Sequence, residues 1–190
     1  MTDVPSSRIR VDRVACPSPH SAANKLARLG WQLAWLLFFR PSPWFWHAPR
    51  RVLLRLFGAK VGRGVQIMPS AQIWAPWNLE LGDYATISHG VDLYNVARIE
   101  IGAHATVSQR AFLCAATHEV DHPNMPLKTA PISVGAGAWI CAEAYLHPGI
   151  TVGVDAVVGV RAVALHDVPP GQIVGGNPAR FLRQRNVAAG

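Results

Sequence analysis

The chain has 190 residues, of which 50% are hydrophobic and 15% charged, with a formal net charge of +7. That length suits one domain with its own core, and so low a charge, against about 25% in an average soluble domain, excludes a disordered or purely electrostatic binding protein. Residues 1–60 hold ten Lys/Arg and two Asp/Glu, whereas residues 61–190 hold eight and nine, so the basic character is N-terminal and a nucleic-acid surface over the whole domain is excluded.

Residues 1–20 read as a polar arm carrying Pro5, Pro17 and Pro19, and the first 24 residues contain no apolar run of the secretory kind. Cys16, Cys114 and Cys141 are scattered, with no Cys-x-x-Cys pair, so neither a disulfide framework nor a cysteine zinc site is expected and a reducing cytosol fits. Residues 21–60 form a helical, aromatic and basic segment. Ser21 suits an N-cap, Leu26, Leu29, Leu33, Leu36 and Leu37 recur at spacings of three and four, and Pro41 and Pro43 end the helix. A second helix takes Pro49 in its first turn, runs through Phe57 and stops at Gly58. Trp31, Trp35, Trp44 and Trp46 crowd this stretch beside Phe38, Phe39 and Phe45. Trp, Phe and Leu mixed with Arg is a membrane-interface composition, yet the seven-residue apolar run Leu33–Phe39 is too short to span a bilayer. Two uses follow for residues 21–57: packing on the rest of the protein or a neighbouring subunit, and peripheral contact with the inner membrane face.

From Val61 a period of six takes over. Aliphatic residues stand at Val61, Ile67, Ile73; Leu81, Ile87, Leu93; Ile101, Val107, Leu113; Val134, Ile140, Leu146; and Val152, Val158, Ala164. Gly often follows the aliphatic residue, and the fifth position is small, as at Ala71, Ala85, Ala105, Ala111, Ala138, Ala144, Ala156 and Ala162. Stacked coils with one inward side chain per hexad explain both features. Five coils are predicted (61–78, 81–98, 101–118, 134–151 and 152–169), making 61–170 a parallel β-solenoid of triangular section. An insertion at 119–133 leaves it directly after His118, and inserted loops tend to carry function.

The hexads, the runs Val134-Gly135-Ala136-Gly137-Ala138-Trp139-Ile140 and Pro148-Gly149-Ile150-Thr151-Val152-Gly153, and the ending Asp167-Val168-Pro169-Pro170-Gly171 with Gly175-Gly176-Asn177-Pro178-Ala179-Arg180 resemble the hexapeptide-repeat acyltransferases. The segments Leu36-Leu37-Phe38-Phe39-Arg40-Pro41-Ser42-Pro43 and Ile73-Trp74-Ala75-Pro76-Trp77-Asn78 bring the likeness nearest to the colanic-acid biosynthesis type, within the maltose and galactoside O-acetyltransferase group. The resemblance covers about residues 24–185. It implies a mainly β fold, a left-handed parallel β-helix with N-terminal helices and a short C-terminal helix within 171–190, assembled as a homotrimer with active sites between prisms.

By the same resemblance the chain moves an acetyl group from acetyl-CoA to a sugar hydroxyl, with His118 as general base. Imidazole as a residue type titrates near neutrality, which suits that task. Asp92 and Asn95 resemble the polar segment that contacts the acceptor sugar, with Asp121 and Asn124 as weaker candidates. The pantetheine arm of the coenzyme would meet Trp139, Ala142 and Val160, and its phosphates His166, Arg180 and Arg183, where cations complement the anion. His166 departs from the family, which often has Lys there. No metal is expected.

His118-Glu119-Val120-Asp121-His122 fits the H-E-x-x-H zinc-protease pattern, but that chemistry needs a helix, and Pro123 follows at once. A metal-dependent hydratase drawing on His89, His104, His118 or His122 and a non-catalytic scaffold remain alternatives on the same solenoid. Cys114 lacks the setting of a low-pKa nucleophile.

Overall fold

The computed structural model describes Ile9 and residues 20–186. The polar arm expected at 1–20, with Cys16, lies almost wholly outside these residues.

Ser21 caps the first helix as expected, its hydroxyl accepting from the Asn24 amide at 3.1 Å. Helix α1 (Ala22–Ala34) continues through a π-helical turn, Trp35–Phe39, and α2 (His47–Leu56) follows with Pro49 in its first turn. Gly58, at φ +88°, turns the chain into the solenoid. No helix among the described residues is long and apolar enough to cross a membrane.

From Lys60 onward the chain winds through three parallel sheets. The first sheet stacks Lys60–Val61, Leu79–Leu81, Ile99–Ile101, Ile132–Val134 and Thr151–Val152. The second stacks Gln66–Ile67, Thr86–Ile87, Thr106–Val107, Trp139–Ile140, Val157–Val158 and Gln172–Gly175, and the third stacks Gln72–Ile73, Asp92–Tyr94, Phe112–Cys114, Tyr145–Leu146 and Val163–Ala164. Equivalent hexad residues pair from coil to coil, Ile67 with Ile87, Ile87 with Val107, Val107 with Ile140 and Ile140 with Val158. Five coils are complete, and a partial sixth begins where Val168 bridges Val152 and continues in Gln172–Gly175.

Fourteen of the fifteen predicted inward residues are buried, the exception being the half-buried Val61 in the terminal coil. All eight fifth-position alanines are buried too. Each buried Val, Ile or Leu contributes roughly 1.5–3 kcal/mol of hydrophobic stabilisation, so this column holds the prism together. The corner after each inward residue of the first sheet has no room for a side chain. A Cβ on Gly135 would lie 2.5 Å from the Val154 amide nitrogen, and one on Gly82 would lie 2.4 Å from that of Ala103.

The backbone polarity of the stack explains the composition of the N-terminal segment. Amides of each coil donate to carbonyls of the next, as Gly62 to Leu81, Gln66 to Ala85 and Gln72 to Val91. The first coil is therefore left with a row of unpartnered carbonyls, which call for side chains that donate. Trp31 Nε1 reaches Ile73 O at 2.6 Å and Trp35 Nε1 reaches Ala71 O at 2.9 Å. Arg50 reaches Ile67 O at 2.8 Å, Arg51 reaches Val65 O at 2.9 Å and Arg55 reaches Val61 O at 2.6 Å. Packing is thus one real use of this segment, with Trp31, Phe39 and Leu54 closing the core beneath the first coil.

The expected C-terminal helix is corrected. Gln172–Gly175 and Arg180–Gln184 form an antiparallel hairpin instead. Gly175, Gly176 and Pro178 disfavour a helix and suit a reversal, and the returning strand covers the open edge of the second sheet.

Candidate active site

His118 closes the short strand Ala116–His118, which leaves the corner after the third sheet and pairs antiparallel with Leu127–Thr129. The two strands make a hairpin arm on which His118 faces Leu127, with Glu119 and Lys128 ion-paired across it at 3.3 Å. The imidazole is exposed, and its Nδ1 lies 2.6 Å from the Met125 carbonyl. A carbonyl can only accept, so Nδ1 carries the proton and Nε2 of the neutral ring is left with its lone pair. Met125 reaches this position with φ +43°, a left-handed conformation that directs its carbonyl to the ring. This contact with the Met125 carbonyl is one that residue types alone do not reveal, because it depends on backbone direction.

Residues 118–122 are a strand end running into turns, so the two histidines of the zinc-protease pattern do not share a helix face. Among the described residues no three His, Cys, Asp or Glu side chains converge as a metal centre requires. Cys114 is buried and its thiol donates to Ala116 O at 3.0 Å, a structural use. Burial, with Cys114 beside it, pushes the neighbouring Tyr145 hydroxyl up to about 12. Asp121 is exposed and Asn124 half-buried within the arm.

Asp92 lies on the third sheet, half-buried; its amide donates to Ala111 O at 2.9 Å, and its carboxyl makes no hydrogen bond or ion pair among the described residues. Burial raises its carboxyl above the ordinary carboxylate value. It borders a cavity of about 300 Å³ lined by Trp31, Trp35, Gln72, Trp74 and Tyr94. A carboxylate, an amide and aromatic faces in one recess are the groups that grip polar hydroxyls and the apolar face of a sugar ring. The aromatic and Gln72 members were not anticipated, although Trp74 stands in a segment that carried the family resemblance.

Asn95 is corrected. It is fully buried, its Oδ1 accepts the amides of Trp74 and Ala75 at 3.0 Å each, and its Nδ2 donates to Ala75 O at 2.5 Å. Asn78 returns the favour from the previous coil, donating to the carbonyls of Asn95 and Val96 at 3.2 and 2.8 Å. Its amide is engaged in holding the corner of the preceding coil and is out of reach of an acceptor sugar.

The residues expected along the coenzyme arm lie on the fourth and fifth coils. Trp139 stands on the outer face of the second sheet, 45% exposed, its indole donating to Ser108 Oγ at 2.8 Å. Ala142 and Val160 are stacked on successive coils at the corner between the second and third sheets, where the Arg161 amide donates to Ala142 O at 3.0 Å. His166 and Arg180 border one small cavity of about 170 Å³ in the last coil, with Asp167, Gln172 and Phe181. Arg180 and Arg183 are three apart on a strand, which would put them on opposite faces. The register shifts in this pair, however, so that Arg183 faces Ile173, Phe181 faces Val174 and Arg180 faces Gly175. Leu182 is the extra residue of a β-bulge, and both arginines thereby share the outer face of the sheet that carries Trp139. Both are exposed, and each donates to one backbone carbonyl, of Ala179 and Gln184 respectively.

His118 follows the C-terminal end of a third-sheet strand, whereas Ala142 and Val160 precede the N-terminal ends of two others, so they stand at opposite ends of the strands of that sheet within one chain. Within a single chain the two groups therefore face different ways.

No protein-family model matches the chain. It is 38% identical over 169 residues to the colanic acid biosynthesis acetyltransferase WcaF of Escherichia coli strain K12, which covers 89% of this chain and 93% of that protein. It is 24% identical to the galactoside O-acetyltransferase of the same organism over 72% of this chain and 69% of that one. Among solved structures, a hexapeptide-repeat acetyltransferase from Vibrio cholerae in complex with acetyl coenzyme A matches with a TM-score of 0.79 and 26% identity, over 90% of this chain and 93% of that one. With hexads, coils and hairpin arm in place, and a relative this similar over nearly its whole length, the chain belongs to the acetyl-CoA-dependent hexapeptide-repeat acetyltransferases.

Proposed function

We propose that this protein transfers an acetyl group directly from acetyl-CoA to a hydroxyl of a sugar, of the kind used in saccharide or exopolysaccharide synthesis, with His118 as general base. The observation that carries this reading is the bond from His118 Nδ1 to the Met125 carbonyl, which fixes the tautomer with a basic Nε2. The acceptor oxygen attacks the thioester carbonyl carbon as its proton passes to Nε2. The C–O bond forms, the C–S bond breaks, and the thiolate of the coenzyme leaves and takes up the proton. Trp139, Ala142 and Val160 hold the arm of the coenzyme, and His166, Arg180 and Arg183 its phosphates. Asp92 and the aromatic recess around it hold the acceptor. The placement of His118 and the Ala142–Val160 corner at opposite ends of the third sheet's strands supports an assembly in which His118 of one copy meets the coenzyme corner of another, as in a homotrimer.

His118→Ala is expected to bind coenzyme A as the parent does and to lose at least about a hundredfold in turnover, the usual scale for a general base. Calorimetric binding of the coenzyme and steady-state transfer to a panel of nucleotide-linked and lipid-linked sugars measure the two separately. Near-normal turnover in this variant would overturn the role of His118, and the absence of coenzyme binding in the parent would favour a non-catalytic scaffold.

A further inference from the structure

Terminal elements of a solenoid close the core and present a polar outer face. The N-terminal cap closes the core here, but its outer face is apolar. On α1 the side chains of Leu26, Leu29 and Leu33 fall in a stripe opposite the face that buries Trp31, and Leu36 and Leu37 extend that stripe past the helix; all five are exposed. Phe38 joins Ala48, Pro49, Val52, Leu53 and Leu56 around an open apolar groove of about 490 Å³. Between these, Trp44, Phe45 and Trp46 stand 64%, 58% and 51% exposed, their rings edge to face.

The aromatic loop is held out by a buried charge. Arg50 is 1% exposed and has no carboxylate partner among the described residues, and its guanidinium donates to Ser42 Oγ at 2.6 Å, Pro43 O at 2.8 Å and Trp44 O at 2.6 Å while also reaching Ile67 O in the first coil. An interior arginine that donates to Ser42 Oγ and the Pro43 and Trp44 carbonyls on one side and to Ile67 O on the other ties the loop to the first coil and braces it against collapse of its three rings onto the prism.

Charge decides which partner suits this face. Residues 21–79 contain eight Lys/Arg and no Asp or Glu, whereas residues 80–190 contain seven and nine. Five of those nine acids are already ion-paired within the chain, Glu80, Asp83, Glu100, Glu119 and Glu143. A second copy meeting the face with its own cap would bring cation against cation, and the prism has few uncommitted acids to offer. Exposed aromatic and leucine side chains set among cations such as Lys25 and Arg40 complement an anionic lipid surface, where rings settle at headgroup depth and basic groups meet phosphate.

We propose that the outer face of the N-terminal cap, led by the Arg50-braced loop Trp44-Phe45-Trp46, is a docking surface for an anionic lipid bilayer. The full-length protein is mixed with sedimentable vesicles of phosphatidylcholine alone or with 30% phosphatidylglycerol, at 50 mM and 500 mM salt. Binding is expected to the phosphatidylglycerol vesicles, at least about tenfold stronger than to phosphatidylcholine alone and strongly weakened at high salt. The triple variant W44S/F45S/W46S is expected to bind at least about tenfold more weakly with an unchanged thermal midpoint, since all three rings are exposed. Failure of the parent to bind phosphatidylglycerol vesicles above the phosphatidylcholine control overturns the proposal. So does a triple variant that keeps vesicle binding while losing mass in sedimentation velocity, which assigns the face to contacts between copies. Coenzyme binding and transfer to a soluble sugar, measured on the same preparations, report on the catalytic reading independently of either result.

Discussion

Replacing Asn95 with alanine separates a structural from a substrate-binding role by two readouts that move in opposite ways. The side chain is fully buried and makes three hydrogen bonds, accepting from two backbone amides and donating to one carbonyl, all within Trp74–Ala75. Each such bond is worth about 1 kcal/mol net, and the partners left behind are buried where unsatisfied groups cost about 1–3 kcal/mol each. Water entering the vacated space recovers part of that, so a loss of about 3 kcal/mol is expected. For a chain of this size 1 kcal/mol corresponds to roughly 2–4 °C, which places the fall in midpoint at about 6–12 °C. Differential scanning calorimetry measures the midpoint, and acceptor titration well below it measures KM, which is expected to stay within about twofold of the parent. A midpoint within about 2 °C of the parent together with a tenfold rise in acceptor KM would refute this reasoning and return Asn95 to the acceptor site.

Three further outcomes are expected. Burial raises the Asp92 carboxyl above its ordinary 3.8, so the folded chain holds that proton more tightly than the unfolded chain and the charged form weakens the fold at neutral pH. Asp92→Asn should therefore raise the thermal midpoint by a few degrees at pH 7, with the gain fading as pH falls through the raised value and gone below the ordinary one. The same variant should raise acceptor KM if the recess binds the sugar; a midpoint gain that persists unchanged at pH 3 would contradict the assignment. Deleting Leu182 removes the bulge and turns Arg183 to the other face of its strand, so coenzyme affinity should fall about tenfold by calorimetry, whereas Leu182→Ala, which keeps the bulge, should leave it within about twofold. Gly135→Ala drives a Cβ against the backbone of the next coil and should cost at least about 2 kcal/mol in denaturant unfolding, a loss absent for substitutions at the exposed corner residue Ala136.

The prism was legible because each hexad spends one side chain on the interior and that side chain is always aliphatic, so the six-residue rhythm survives in the plain order of residues. The last turn was not, because Arg180–Gln184 is exposed throughout and shows neither the two-residue nor the helical rhythm. Asn95 was misread because a polar residue at a coil corner looks the same whether its amide faces a ligand or the preceding coil. The basic N-terminal third was read as a surface signal, whereas Arg50, Arg51 and Arg55 are largely engaged with carbonyls that the directionality of the stack leaves open. The position of His118 at the loop exit is legible in the sequence, but the Met125 carbonyl that contacts its Nδ1 belongs to backbone geometry.

From Thr117 to Pro131 no side chain is buried, and the core column resumes at Ile132 as though the arm were absent. Gly102 and Gly135 stand 33 residues apart, which is one eighteen-residue coil plus the fifteen residues of 119–133, and their coils still stack in direct register. The arm that bears the histidine is therefore an appendage whose length and sequence can change without touching the residues that hold the prism together. The side chains that fill the core and the histidine at the loop exit are thus encoded in separate stretches of this chain, so residues 119–131 can vary while the packed interior beneath them stays constant.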